Sequence, residues 1–121
     1  MEQNSFTYFE CGKGWHSIIQ KAVKRIEAEW TALTEKHREE GTLNAFYEWY
    51  GEGTPIVQIK EKFGTLRIYV KAYTEGIDAA IKEAERDCEI TCEHCGSKQD
   101  VELRTDGWYS TMCDACHSSK R

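Results

Sequence analysis

A single proline, Pro55, and two methionines stand among 121 residues, and no apolar run approaches the ~18 residues that a membrane-spanning helix needs. Scarce proline, with no low-complexity segment or internal repeat, leaves no flexible linker, so the length suits one modest domain with a small appendage. The first residues, MEQNSFTYFECGKGW, lack a basic stretch followed by an apolar one; no secretory signal is expected, and the location expected is cytoplasmic. Positive charge is also short. The formal net charge is −5, which argues against general attraction to nucleic acid or to an anionic membrane. Neither the P-loop nor the dinucleotide-binding spacing occurs. No motif sets a nucleophile, a base and an orienting group together; Glu61, His16 and Cys11 are isolated candidates, so no catalytic residue is assigned and enzymatic activity is not expected.

What is present suffices for a core: 40% of residues are hydrophobic and 12% aromatic. Trp15, Ile18, Ile19, Ala22, Val23, Ile26, Trp30, Leu33 and His37 recur at three- and four-residue steps, predicting a long amphipathic helix over 15–40 that stops near Gly41. The aromatic FYEWYGEGTP that follows fits either a short strand or an ordered loop. Residues 54–73 read as a hairpin around the turn EKFG. Leu66, Ile68 and Val70 alternate with Arg67, Tyr69 and Lys71, while Val57 and Ile59 are expected on the apolar side opposite Gln58 and Lys60. Thr74 is a cap for a second helix, 75–89, whose buried face is Ile77, Ala80, Ile81, Ala84 and Cys88. The fold class expected is α+β: a helix–hairpin–helix core over 1–89, with the small sheet covered on one side, and a separate unit over 90–121.

That unit carries most of the cysteines. Cys92 and Cys95 are two residues apart, 17 residues follow, and Cys113 and Cys116 repeat the spacing. Two such pairs match a structural zinc ribbon, with Gly96 permitting the tight turn and Asp106-Gly107 marking the hairpin between the knuckles. Two disulfides are the alternative and would need an oxidising compartment. His94 and His117 adjoin ligands without replacing them. A closed four-thiolate site leaves no position for substrate, so the Zn2+ expected is structural; the His-x-Glu motif of zinc deaminases is missing as well. Cys88 reads as a buried thiol. Cys11 precedes the helix start, where its pKa would fall, but no base is near it in sequence.

Residues 54–73 hold four bases against the single acid Glu61, the one positive block of the chain. Alternation predicts a shared face of Gln58, Lys60, Arg67, Tyr69 and Lys71, with Lys62 at the turn and Tyr73 beyond. Arg and Lys suit phosphate and Tyr suits a stacked ring, against the plainer reading of a solvated sheet face whose lysines protect an edge. Gly12, Lys13 and Gly14 ahead of the long helix resemble an anion-binding approach, or simply an entry turn.

Taken together, GWHSII opening a helix, the hairpin QIKEKFGTLRIYV and the terminal CEHCG…CDACH resemble a widespread group of small phage and bacterial proteins, over about Gly14 to His117. The resemblance implies this architecture and a phage or prophage origin, hence a host-cell cytoplasm, and carries no activity with it. The leading functional expectation is a non-catalytic protein that binds a nucleotide-like, phosphate-bearing small molecule and so sequesters it to counter host defence. Such a pocket can form between two copies, with Phe46, Tyr47, Trp49 and Tyr50 as a homo-oligomer wall. A protein-interaction module acting on a host protein, docking through aromatics and ribbon, is the second reading. Nucleic-acid binding is the third, weakened because the ribbon sets Lys98, Arg104, Lys120 and Arg121 against five acids.

Overall fold

The computed structural model describes residues 6–119; Lys120 and Arg121, counted above with the ribbon's charge, lie outside them. A 3-10 turn at Lys13–Trp15 leads into α1, His16–Glu40, which ends where Gly41 adopts φ 77° and Thr42 N–H returns to the His37 carbonyl at 2.9 Å. α2 is Leu43–Tyr50, β1 Ile56–Lys62, β2 Thr65–Val70 and α3 Glu75–Glu89. The small second sheet follows, β3 Val101–Arg104 with β4 Ser110–Cys113, and α4, Asp114–Ser119, closes the described chain. Mixed helix and strand with two antiparallel hairpins is the α+β class expected.

The core lies where α1 and α3 pack together and close over the apolar side of β1–β2. Trp15, Ile19, Ile26, Ile59, Leu66, Ile77 and Cys88 are fully buried there, each large apolar side chain contributing about 1.5–3 kcal/mol. Thr74 caps α3 as its sequence position implies, its Oγ1 accepting the Ile77 N–H at 3.1 Å.

Two local expectations are corrected. FYEWY is neither strand nor loop but part of α2. Leu43, Phe46, Tyr47 and Tyr50 recur at helical spacing and pack against the core; Phe46 stands 5.1 Å from Trp30, ring to ring. Val57 does not join Ile59 on the apolar side. The register of β1 shifts between Ile56 and Gln58, so the buried residues are Ile56 and Ile59 while Val57 is 60% exposed. An extra residue in one strand reverses the alternation behind it, and Pro55 and Ile56 enter the core first.

The turn between β1 and β2 has two residues, Phe63 (φ 54°) and Gly64 (φ 82°), both left-handed, as the type I′ geometry requires. Beyond β1 the N-terminal arm adds a short parallel bridge: Glu10 N–H donates to Ile59 O at 2.9 Å and Glu61 N–H to Glu10 O at 3.1 Å. This segment of β1 is covered by main chain rather than protected by charge.

Candidate functional site

The four ribbon cysteines converge. The sulfurs of Cys92, Cys95, Cys113 and Cys116 all lie within 4.8 Å of one another, the one such group of metal-ligating side chains found among the described residues. Cys95 and Cys113 Sγ are 3.8 Å apart, which is about the edge of a tetrahedron built on Zn–S bonds of about 2.3 Å. Neither pair is bonded as a disulfide. The two knuckles are alike: Cys95 N–H points at Cys92 Sγ (3.5 Å) and Cys116 N–H at Cys113 Sγ (3.4 Å). Gly96, at φ 85°, returns its N–H to Cys92 O at 2.8 Å to complete the first turn.

Protonation follows from this crowding. Burial raises the Cys92 thiol, but backbone hydrogen bonds from Cys113, Cys95 and His94 outweigh it and hold the group at about 7. Burial and the neighbouring sulfurs of Cys95, Cys113 and Cys92 push Cys116 up to about 12. Like charges at this spacing suppress one another, and a divalent ion removes the conflict by making all four thiolates ligands. The donor set is closed and sulfur-only, which fits Zn2+ in a structural role. His117 meets Asp106 at 3.0 Å and His94 is exposed, so neither histidine belongs to the cysteine group.

The first knuckle also holds the start of α1. Gly12 N–H donates to Glu93 Oε2 (2.8 Å) and Gly14 N–H to Glu93 O (2.7 Å), while Trp15 Nε1 donates to Thr91 O (2.8 Å) in a buried site. The Gly12-Lys13-Gly14 segment is thus an entry turn already supplied with a carboxylate from the chain itself. A Cβ on Gly14 would sit 2.2 Å from Cys92 O, which explains the glycine. Burial raises the Glu93 carboxyl above its usual range; Gly12 N–H acts against this and Glu61 adds to it. Cys11, flanked by the same two carboxylates, is pushed up to about 12, first by burial and then by Glu93 and Glu61. The helix start does not activate this thiol. His16 packs edge-on against Phe9 at 5.2 Å.

On the polar side of β1–β2, Gln58 pairs across the strands with Tyr69 and Lys60 with Arg67. Gln58 Nε2 also meets the Glu10 carboxylate at 3.3 Å, and Arg67 Nε donates to Thr65 Oγ1 at 3.2 Å. One expected member stands elsewhere: Lys71 reaches the Glu52 carbonyl (3.2 Å) and lies 5.8 Å over the Trp30 ring. Lys62 is at the turn, 5.7 Å over Phe63. None of the three described cavities is lined by Gln58, Lys60, Arg67 or Tyr69. Of the aromatic wall, Phe46, Tyr47 and Tyr50 pack on the core, and Trp49 alone is largely exposed.

A feature that sequence reasoning missed lies where the two hairpins meet. Thr111 Oγ1 donates to Gly64 O at 2.7 Å in a buried contact, docking β4 on the type I′ turn. The junction leaves a cleft of about 350 Å³ that includes Phe63, Trp108 and Tyr109. Trp108 is 86% exposed. The run DGWYS carried a signal, two aromatics at a hairpin tip, but only the docking of one hairpin on the other gives it Phe63 as a neighbour.

Among the described residues no helix is long and apolar enough to cross a membrane. No family model, curated protein or solved structure matches the chain.

Proposed function

We propose that the protein is a non-catalytic binding module, stapled by one Zn2+ on Cys92, Cys95, Cys113 and Cys116, that docks a protein partner on the junction of its two hairpins. The single observation behind this reading is the group of large exposed aromatics, Phe63, Trp108 and Tyr109, around one cleft where the two hairpins meet. Exposed Trp and Tyr are the residues that concentrate binding energy at interfaces, and single apolar residues scattered over a surface would not share a concavity. On the expectation carried by the resemblance to small phage and bacterial proteins, the partner proposed is a bacterial host protein that such a module would inhibit or adapt. The test is capture from a bacterial lysate with the zinc-loaded protein and with Trp108→Ala. One stoichiometric partner retained by the first and lost by the second supports the reading; equal capture by both overturns it.

A second reading keeps the anionic small molecule on the hairpin face. Its support is the direct cross-strand opposition of two cations, Lys60 and Arg67, on one face. Tyr69, next in register, would stack a ring. A melting-temperature screen of nucleotides and inorganic phosphate tests it, because a ligand bound to the native state raises the transition by mass action.

A further inference from the structure

We infer that the cleft between the hairpins accepts an arginine or lysine side chain from a basic segment of the partner protein. The inference rests on the partner-docking reading above and names the chemistry of what docks.

Two observations converge. First, aromatic residues line the cleft: Phe63, Trp108 and Tyr109 surround it, and the ammonium of Lys62 already lies 5.7 Å over the Phe63 ring. A cation over an aromatic face is attracted by the ring quadrupole, and guanidinium groups also stack flat. Second, the cleft has carboxylates. Glu61 and Glu93 line it, against Lys62 as the one base, so its own charge is negative. Each carboxylate is held by a backbone donor through a single oxygen, Glu61 Oε2 by Gly64 N–H at 2.7 Å and Glu93 Oε2 by Gly12 N–H at 2.8 Å. Among the described residues no hydrogen bond is made to Oε1 of either, so fixed acceptors remain for an incoming donor. Aromatic faces and anchored carboxylates together describe a receptor for a cation that also donates hydrogen bonds.

An anionic guest fits none of this, since it would face both glutamates. A purely apolar one would leave the free carboxylate oxygens unmatched.

The test uses the full zinc-loaded chain labelled with 15N, titrated with the blocked peptides Gly-Arg-Gly, Gly-Lys-Gly and Gly-Glu-Gly and with spermidine. Expected are saturable shifts of the Trp108 indole N–H and the Ser110 amide with the arginine and lysine peptides, at least tenfold weaker shifts with the glutamate peptide, and weakening as salt rises. Lys62→Glu, which adds an acid at the rim, tightens the arginine peptide about threefold or more, whereas Trp108→Ala abolishes its shifts. Both are exposed positions, so the variants fold. No shift at millimolar arginine peptide, equal shifts with the glutamate peptide, or spermidine binding more tightly than the peptide would each overturn the inference. If lysate capture still depends on Trp108 while the arginine peptide does nothing, the docking module survives and only the cationic partner falls.

Discussion

Thr111 Oγ1 and the carbonyl of Gly64 are joined by a buried hydrogen bond of 2.7 Å, although 47 residues separate them. Through it the cysteine-bearing sheet rests on the turn of the core hairpin, at a glycine whose added Cβ would clash with Leu103 Cδ1. Thr111→Val removes the donor and leaves the carbonyl buried and unpaired. Its expected cost is about 1–3 kcal/mol by chemical denaturation, with zinc retained because no ligand changes. Unchanged stability would mean that the two hairpins do not depend on this contact.

Gly14→Ala attacks the other contact between ribbon and core. The new methyl would meet Cys92 O at 2.2 Å and Gly96 N at 2.6 Å, backbone atoms that cannot move without opening the first knuckle. Overpacking of this kind costs about 1–3 kcal/mol or more. Both the melting temperature and the zinc retained against a colorimetric chelator are expected to fall. A variant that melts lower but keeps its zinc would separate the two sites.

Stripping the metal should unfold 90–119, α4 included, and spare α1, α2 and α3. β3–β4 buries only a small cluster around Cys92, Met112 and Cys113, too little to pay for ordering that segment. Far-ultraviolet dichroism is expected to keep its helical signal while amide signals of 101–113 collapse. Zinc binding displaces protons from thiols, so affinity is expected to drop as pH falls through about 7, the Cys92 value, and to rise above it.

Cys11 offers a chemical test with a definite sign. Its thiol is raised from 9.0 to about 12, so at pH 8 the folded protein holds roughly a thousandfold less Cys11 thiolate than an ordinary cysteine. Iodoacetamide labelling followed by mass spectrometry should leave Cys11 unmodified in the zinc-loaded native state and modify it in denaturant. By linkage, this burial of a neutral thiol is a stability contribution present below pH 9 and lost as pH rises from 9 towards 12. Rapid native labelling would restore the reactive Cys11 that its position before a helix suggests.

The bulge at Val57 makes two neighbouring apolar residues unequal. Val57→Thr is expected to change stability by under about 0.5 kcal/mol, while Ile59→Ala should cost about 2–5 kcal/mol in urea titrations. Strict alternation would make both costly.

These contrasts mark how far the amino-acid order could be read. The long helix, its Gly41 stop, the Thr74 cap and the cysteine quartet were legible because each is a local or evenly spaced signal. Val57 was misread because a bulge is decided by pairing and by Pro55 and Ile56 entering the core, which no period-two count contains. The residues of α2 looked ambiguous because an eight-residue helix rich in Phe, Tyr and Trp is stabilised by Trp30, a long-range neighbour, more than by propensity. The basic hairpin face was legible as far as the pairs Gln58–Tyr69 and Lys60–Arg67; Lys71 left it because the strand ends at Val70 and the side chain turns to Glu52 and Trp30. The cleft was illegible, since Phe63 and Trp108 share it only through tertiary docking.

Gly12 waits for Glu93 across 81 residues, and Trp15 for Thr91 across 76. On the ribosome the front of α1 therefore emerges long before the groups that seal it. Until Thr91 and Glu93 have been added, the indole of Trp15 lacks its carbonyl acceptor and the glycine turn lacks its carboxylate. The front of α1 is therefore sealed by long-range partners and not by its own neighbours in sequence.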